Sequence, residues 1–320
     1  MPNYQGVWNI STQYQNRDGW PSPPVLGFFA GNIGVPSNYI NKINIASLGN
    51  AADVGDLTQT RRFGAGAAST TRGVFACGYY YDTGTASDVR PNIIDYITMA
   101  TAGNATDFGD HIASVTYCGG ASNSTRALFC GGTPDGSSSV NSIGYITIAT
   151  TGNATSFGSL IASDYGLSGC ASPTRAVFGG GYSSGSFTNR IQYNTIASTG
   201  NSTDFGDLTV ARQSTGAASN ATRALFGGGF ASGSNVIEYI TIASTGNGTD
   251  FGDLTTGRYA CGGASSPTRV VFGPGTNALY NGMDYVEIAT TGNAASFGDM
   301  DVGNMYGSAH SCSSGHGGLS

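Results

Sequence analysis

Residues 236–276 read VIEYITIASTGNGTDFGDLTTGRYACGGASSPTRVVFGPGT, and this stretch decides the fold. Its apolar segments at 237–242 and 269–272 are short, rich in β-branched and aromatic side chains, and bounded by Gly, Asn and Asp. These features are typical of β-strands separated by tight turns, and no segment has the apolar spacing of a helix. The stretch therefore predicts a small antiparallel sheet of three or four strands.

The same unit recurs along the whole chain. Gly-Asn begins at residues 49, 103, 152, 200, 246 and 292, so successive copies lie 54, 49, 48, 46 and 46 residues apart. Four-stranded propeller blades need repeats of roughly 40–50 residues, whereas β-solenoid coils are usually shorter. Six tandem units of this length indicate a propeller.

The two chain ends favour a closed ring. The sixth unit stops near Cys312, where Thr-Arg and a further strand follow in the other units, and the matching strand stands at residues 25–31. A ring closes by such a permutation, and a solenoid does not need it. The sequence predicts an all-β, six-bladed propeller in which strands from 25–57 pair with a C-terminal innermost strand at about 306–312.

These boundaries divide the chain into three parts. Residues 1–24 form an N-terminal extension, residues 25–312 the propeller, and residues 313–320 a C-terminal tail. The extension holds both tryptophans, Trp8 and Trp20, which are costly to leave exposed. We expect the extension to act as an anchor to a partner, with a flap over its own propeller as the alternative.

Composition indicates a folded chain and limits its partners. The 320 residues include 51 Gly, 17 Tyr and 15 Phe, and 39% are hydrophobic, so there is ample surface to bury. The net charge is −6 and no basic run exists, which argues against nucleic-acid binding. The N-terminus does not resemble a signal peptide, and no apolar stretch is long enough to span a membrane. The six cysteines replace small residues, so we expect buried free thiols.

The unit resembles the kelch repeat. Phe226-Gly227-Gly228, Tyr239, Phe251 and Arg258 before a Gly-rich strand match the kelch pattern in order, although Phe stands where Trp is usual. The phrases YITIATTGNAT (145–155), TDFGDL (249–254) and TRALFGGG (222–229) also resemble repeat proteins in the virions of tailed phages of aquatic bacteria. The first resemblance implies a kelch-like propeller, and the second implies a virion protein.

The kelch resemblance implies four strands in each blade, a (innermost) to d, and two unequal faces of the disc. The d-to-a and b-to-c connections lie on one face, where loops such as 78–92 and 180–190 vary in length and content. We call it the variable face and expect it to bind a ligand, since function concentrates in loops on a rigid scaffold. The opposite face, here called the terminal face, carries the nearly identical a-to-b and c-to-d connections.

Aromatic and polar residues in the variable loops are the first candidate ligand-binding group. Exposed aromatics beside Asp and Asn suit sugar stacking and protein contacts alike, while the alternative is that some only cover blade ends. The candidates are Tyr79, Tyr80, Tyr81, Asp82, Arg90, Tyr182, Phe187 and Phe230.

A second candidate group is an arginine that precedes strand a in three units, at Arg61, Arg212 and Arg258. The other units have Val115, Asp164 and Asn304 there. A structural residue should recur in every unit, so the uneven distribution suggests a ligand-binding role near the central channel. The alternative is an ordinary solvated arginine.

A third set recurs in nearly every unit and indicates a structural ring. It combines the arginine of Thr-Arg with aspartates of the TDFGD segment, which we interpret as a turn. Each arginine should bind a turn carboxylate or loop carbonyls and lock its blade, at about 3–5 kcal/mol if the partner is a buried carboxylate. An anion-binding ring and a calcium site at the aspartates are the alternatives. The residues are Arg72, Arg126, Arg175, Arg223, Arg269, Asp110, Asp207 and Asp253.

Catalytic chemistry has little support in the sequence. The three histidines, His111, His310 and His316, have no metal-ligand spacing, and no repeated acid or nucleophile pattern exists. We expect no metal, no cofactor and no enzymatic activity. The expected function is a phage tail-fibre or receptor-binding virion protein, made in the host cytoplasm, that binds other virion proteins through its terminal face and a host glycan or protein through its variable face. A capsid or tail decoration protein and a bacterial surface lectin or adhesin are the alternatives.

Overall fold

The structure is a computed structural model that describes residues 24–32, 37–231, 234–276, 281–301 and 310–319. Its elements are 28 strands and a short 3-10 helix, Gly317–Leu319. In chain order the strands are β1 (Leu26–Asn32), β2 (Ser37–Asn44), β3 (Ala52–Asp56), β4 (Ala65–Ala68), β5 (Arg72–Ala76), β6 (Tyr80–Asp82), β7 (Ser87–Val89), β8 (Ile93–Thr98), β9 (Thr106–Asp110), β10 (Gly119–Ser122), β11 (Arg126–Cys130), β12 (Ser142–Thr147), β13 (Thr155–Ser159), β14 (Ser168–Ala171), β15 (Arg175–Gly179), β16 (Tyr182–Ser183), β17 (Ser186–Phe187), β18 (Arg190–Thr195), β19 (Thr203–Asp207), β20 (Gly216–Ser219), β21 (Arg223–Gly227), β22 (Val236–Thr241), β23 (Thr249–Asp253), β24 (Gly263–Ser265), β25 (Arg269–Phe272), β26 (Gly282–Glu287), β27 (Ala295–Asp299) and β28 (His310–Ser313).

These strands form six four-stranded antiparallel sheets, the blades of a six-bladed β-propeller. Blade I is β4-β5-β8-β9, blade II is β10-β11-β12-β13, blade III is β14-β15-β18-β19, blade IV is β20-β21-β22-β23, blade V is β24-β25-β26-β27 and blade VI is β28-β1-β2-β3. The b-to-c connections of blades I and III carry small extra hairpins, β6-β7 and β16-β17. The predicted fold class is confirmed.

Blade VI closes the ring from both chain ends, as predicted. β28 pairs antiparallel with β1, with Phe28 opposite Cys312 and Ala30 opposite His310. β1 continues the sheet to β2, and β2 to β3. The innermost strand thus comes from the C-terminus and the three outer strands from the N-terminus, so that β1 is paired on both sides and is not an exposed sheet edge.

The hydrophobic core lies between neighbouring blades. Each of six clusters joins two adjacent sheets; the cluster between blades I and II, for example, contains Val74 and Phe108 of one with Phe129 and Ile146 of the other. Since both faces of every sheet are covered, strand b is apolar at consecutive positions rather than at alternate ones. Its phenylalanine is fully buried in all six blades, at positions 29, 75, 129, 178, 226 and 272.

The Thr-Arg arginines bind the next blade around the ring. Arg72 Nη1 lies 2.9 Å from the carbonyl oxygens of both Ile148 and Ala149 in blade II, and its guanidinium lies 4.7 Å from the ring centroid of Tyr96 in its own blade. Equivalent contacts are made by the other four arginines, Arg126, Arg175, Arg223 and Arg269. Blade VI has Leu26 at this position. These arginine contacts, which we call interblade staples, therefore connect neighbouring blades at five of the six interfaces.

The aspartates predicted to join this ring have a different role. TDFGD is strand d itself rather than a turn. Phe108 is the extra residue of a β-bulge, since Asp95 pairs with Asp107 and Ile94 with Gly109, where φ is 141°. The arginines donate to carbonyls instead, and within the described chain Arg269 alone of the five adds a carboxylate, Glu287 at 2.7 Å. This corrects the predicted contribution of Asp110, Asp207 and Asp253.

A second ring uses the asparagine of Gly-Asn and spans all six interfaces. Asn153 Oδ1 of blade II accepts the backbone N–H of Asp110 in blade I at 2.9 Å, and Asn50 of blade VI accepts that of Asp299 in blade V at 3.0 Å. The remaining four acceptors are Asn104, Asn201, Asn247 and Asn293. The recurrence of Gly-Asn, which located the repeat in the sequence, follows from this interblade bond.

Candidate functional site

An arc of aromatic side chains surrounds the mouth of the central channel on the variable face. Consecutive ring centroids are 4.3–6.1 Å apart, and most pairs are tilted or edge-to-face. The arc runs from blade I to blade V through Tyr79, Phe63, Tyr117, Tyr165, Tyr182, Phe187, Phe230 and Tyr259. This is the densest aromatic surface in the described part of the chain.

Four of the predicted ligand residues belong to this arc. Tyr79, Tyr182 and Phe187 are half-buried, whereas Phe230 is 43% exposed. Tyr79 is also covered by two guanidinium groups, those of Arg62 at 4.5 Å and Arg90 at 5.6 Å from its ring centroid. The structure thus brings together residues from loops about 150 positions apart in sequence.

The other predicted residues of the first variable loop lie on the β6-β7 hairpin beside the arc. Tyr81 is 51% exposed, and Tyr80 is half-buried opposite Val89. Asp82 holds the hairpin turn, because its carboxylate accepts Gly84 N–H at 2.9 Å and the Thr85 hydroxyl at 2.8 Å. These two bonds lower the pKa of Asp82, the larger effect coming from Thr85. Arg90 approaches Asp88 at 3.5 Å.

Sequence reasoning missed the inner half of the arc. Phe63, Tyr117, Tyr165 and Tyr259 come from the d-to-a connections, immediately before strand a, where the sequence was interpreted as the start of that strand. The missed signal is that these connections carry an aromatic in blades I, II, III and V. Burial raises the pKa of the Tyr117 phenol, whose ring packs against Phe63 at 4.3 Å.

The backbone beneath the arc is fixed by a chain of interblade hydrogen bonds. Tyr117 N–H donates to Phe63 O, Gly166 to Tyr117, Ser214 to Gly166 and Ala260 to Ser214, at 2.6–2.7 Å. All five residues have φ between 55° and 70°, a left-handed conformation that costs a non-glycine residue roughly 1–2 kcal/mol. The rim of the channel is therefore built to one rigid geometry on five blades.

The three arginines before strand a do not lie on the variable face, which corrects their predicted placement. Arg61, Arg212 and Arg258 are fully buried within their own blades. Each pairs with a buried carboxylate on strand c: Arg61 with Asp95 at 2.9 Å, Arg212 with Glu238 at 3.0 Å, and Arg258 with Asp284 at 2.7 Å. The same carboxylates accept hydrogen bonds from Thr58, Thr209 and Thr255 of the d-to-a connection. Their role is to lock that connection onto the sheet.

A structural cause explains why this arginine occurs in only some of the units. In blade III Gln192 takes the place of the strand c carboxylate, and Asp164, which occupies the arginine position, pairs with Arg190 at 3.0 Å. Burial raises the pKa of Asp164 despite this partner. Blade II has Val115 with Gly144 on strand c, and His111 fills the space beside that glycine. Asn304 of the sixth unit lies outside the described residues. The acid partner co-varies with the arginine within this one chain, a signal that sequence reasoning could have used.

The central channel is narrow and is lined mainly by small side chains of the innermost strands. It leaves about 80 Å³ for the centres of water-sized molecules, enough for several waters. Four cysteines, Cys118, Cys170, Cys261 and Cys312, contribute to the lining. All six cysteines are buried free thiols, which confirms that prediction. Any ligand larger than a few atoms must bind outside the channel, on a face.

The C-terminal tail covers the channel on the terminal face. After β28, His316 Nε2 lies 3.0 Å from Ala68 O and 3.4 Å from Ser122 Oγ. Gly317 and Gly318 pass so close to backbone carbonyls of blades II, III and IV that neither position has room for a Cβ. Burial lowers the pKa of His316 to about 4. The channel is therefore accessible chiefly from the variable face, where the aromatic arc lies.

No three His, Cys, Asp or Glu side chains among the described residues are grouped to hold a metal ion. Within the same residues no helix is long and apolar enough to cross a bilayer. Trp8 and Trp20, the predicted anchor, lie outside the described ranges.

The chain matches no family model, and no curated protein matches it. The fold assignment therefore rests on the strand pairing itself, and the likeness to kelch and virion repeats remains a resemblance.

Proposed function

We propose that this chain is a non-enzymatic virion protein of a tailed phage that binds a carbohydrate of the host surface through its variable face. The aromatic arc carries this proposal, because it is a preformed apolar surface edged by hydrogen-bonding groups. Sugar rings present both C–H faces, which stack on aromatics, and hydroxyls, which need polar partners. The virion setting is supported by the resemblance of the repeat phrases to phage virion proteins.

The contrast between the two faces supports ligand binding on the variable face rather than on the terminal face. The variable face changes from blade to blade: hairpins project from blades I and III, and the b-to-c loops differ in sequence. The terminal face repeats the same arginine and asparagine contacts almost without change. A rigid body with one variable surface suits recognition, since the loops can differ while the interblade staples stay intact.

The terminal face is the candidate surface for other virion proteins. It carries the end of β28 and the start of β1, so both described chain ends lie there. Its regularity also suits a decoration protein on a repetitive particle surface, which is the second candidate role. A bacterial surface lectin would share the binding face but would be found in a cell-envelope fraction.

A glycan array of bacterial surface polysaccharides tests binding, with matched substitutions on the two faces. Phe230→Ser and Tyr81→Ser remove exposed aromatics from the variable face, and Leu48→Ser removes a side chain that is 56% exposed on the terminal face. We expect the first two to lose binding and the third to retain it. Equal loss in all three, or binding to no polysaccharide, contradicts the proposal. Mass spectrometry of purified particles tests the virion assignment, which fails if the protein occurs only in the cell envelope.

A further inference from the structure

Cys77 occupies a backbone position that four other blades fill with glycine. By strand register the equivalent residues are Gly31, Gly131, Gly180 and Gly228. The φ angle is 61° at Cys77 and 64–77° at these glycines, a left-handed conformation that is unfavourable for a residue with a Cβ. An added Cβ at Gly131 would also lie only 2.5 Å from a carbonyl oxygen of the next blade. A cysteine is thus placed here against a steric cost, which calls for a reason.

The Cys77 side chain is directed at Cys118 of the next blade. Both residues belong to the core cluster between blades I and II, and their thiols are in hydrogen-bonding contact. The next interface shows the same direction, because Gly131 and Leu167 stand at the equivalent positions and an added Cβ at Gly131 would lie 2.7 Å from Leu167 Cδ1. The repeat geometry therefore brings the two sulfur atoms together across the interface.

The neighbouring cysteines do not compete for this contact. Cys130 pairs with Gly119, the residue after Cys118, and belongs to the core cluster between blades II and III. It therefore lies on the opposite face of blade II. Cys261 has the position of Cys118 in blade V, but blade IV offers it Gly228 in place of a cysteine. Its Sγ lies 3.8 Å from the carbonyl oxygen of Gly227 instead.

We propose that Cys77 and Cys118 form a disulfide bond that links blade I covalently to blade II when the protein meets a peroxide. Cys118 reacts first, because it lines both the channel and the small cavity at its mouth, whereas Cys77 is fully buried. Its thiolate attacks one oxygen of hydrogen peroxide and gives a sulfenic acid and one water. The Cys77 thiolate then attacks this sulfur, and the leaving hydroxide takes up a proton to give a second water. The two sulfurs lose two electrons, which reduce the peroxide.

The environment of the pair makes this oxidation slow and its product stabilising. The hydrogen bond with Cys77 and burial raise the pKa of the Cys118 thiol, so little thiolate is present at neutral pH. The thiols should therefore stay reduced in a cytoplasm and oxidise outside it. The bond closes a loop of about 40 residues, which restricts the unfolded chain. This inference does not rest on the proposed function, because it concerns the blade interface alone.

The test compares the folded wild-type protein with Cys77→Gly, which restores the residue of the other blades. Each protein is incubated with hydrogen peroxide or with dithiothreitol, unfolded, alkylated with iodoacetamide and digested with chymotrypsin for mass spectrometry. The oxidised wild type should give the peptides 76–79 and 118–129 joined by a disulfide, with Cys261 alkylated as an internal control. Its urea midpoint should rise by roughly 0.5–1 M relative to the reduced protein. Cys77→Gly should fold, give no joined peptide and show no such rise.

Each other outcome counts against the bond. Six alkylated cysteines in the peroxide-treated wild type would overturn the inference. So would a disulfide between Cys118 and Cys130, or conversion of Cys118 to a sulfinic acid without a bridge. A rise in urea midpoint that is equal in wild type and Cys77→Gly would show that the stabilisation has another source, and would overturn the interblade role. Because the ligand plays no part in these measurements, their failure leaves carbohydrate binding untouched.

Discussion

Replacing Arg223 with alanine removes one of the five interblade staples and should destabilise the propeller by about 2–4 kcal/mol. Arg223 Nη1 donates to Ile288 O at 2.9 Å and Ala289 O at 3.2 Å in blade V, and its guanidinium lies 4.5 Å from the ring centroid of Tyr239. A hydrogen bond from a charged donor contributes about 1.5–3 kcal/mol, and an exposed cation–π contact about 0.5–1 kcal/mol. The second bond adds little because Ala289 is exposed and water can replace the arginine there.

Urea unfolding followed by circular dichroism measures this free energy without screening the charge. Arg223→Lys is the matched control: it keeps the charge but lacks the planar fork that contacts two carbonyls and the ring. We expect it to lose about half as much stability as Arg223→Ala. If Arg223→Ala unfolds within about 0.5 kcal/mol of wild type, the arginine contacts do not hold the blades together, and interblade stability comes from the apolar clusters, the asparagine ring and the backbone hydrogen bonds.

Three further predictions concern the asparagine ring and the chain ends. Asn247→Ala should lower the free energy of unfolding by about 1 kcal/mol, because the neutral interblade hydrogen bond from Asp207 N–H to Asn247 Oδ1 is lost. Asn247→Asp is the control, since it keeps the acceptor. Urea unfolding curves that show equal losses for both variants would contradict the assigned bond. Deleting residues 310–320 should prevent a compact fold, because β1 then lacks β28. Deleting only residues 314–320 should leave the blades intact and open the channel at the terminal face. Gel filtration and limited proteolysis distinguish these results, and equal damage from both deletions would refute the proposed ring closure. The pKa of His316 is lowered to about 4 from an ordinary 6.5, so its contribution to tail attachment is complete above pH 6.5 and declines as pH falls towards 4. The protection of the amides of residues 314–319 against hydrogen exchange, after correction for the intrinsic pH dependence of exchange, should therefore fall over that range. Protection factors that do not change with pH would contradict the buried position of the ring.

The fold could be predicted because the repeat is redundant. Six copies of Gly-Asn fixed the unit, and the displaced strand at residues 25–31 showed how the ring closes. The partners of individual side chains were harder to predict, since they depend on which strands become neighbours. The interblade reach of Arg72 to Ile148 and Ala149 spans some 76 residues, and nothing local in the sequence indicates it.

Only half of the aromatic arc was predicted from the sequence, again because its residues come from segments that lie far apart in the chain. Tyr182 and Phe230 stood out because they lie in loops of variable length, where sequence reasoning searched for ligand residues. Phe63 and Tyr117 lie in connections of constant length and were assigned to a strand. Arg212 was placed on the surface because its absence from some units looked functional, whereas its carboxylate partner lies 26 residues away on strand c. Such pairs become apparent only when the pairing register of the strands is known.

A crystal structure of the protein soaked with a sugar that binds it tests the central claim most directly, because it locates the ligand on one face of the propeller. We expect electron density for a sugar ring stacked on the aromatic arc near Phe230. Density on the terminal face, or along the outer d strands with the arc empty, would contradict it.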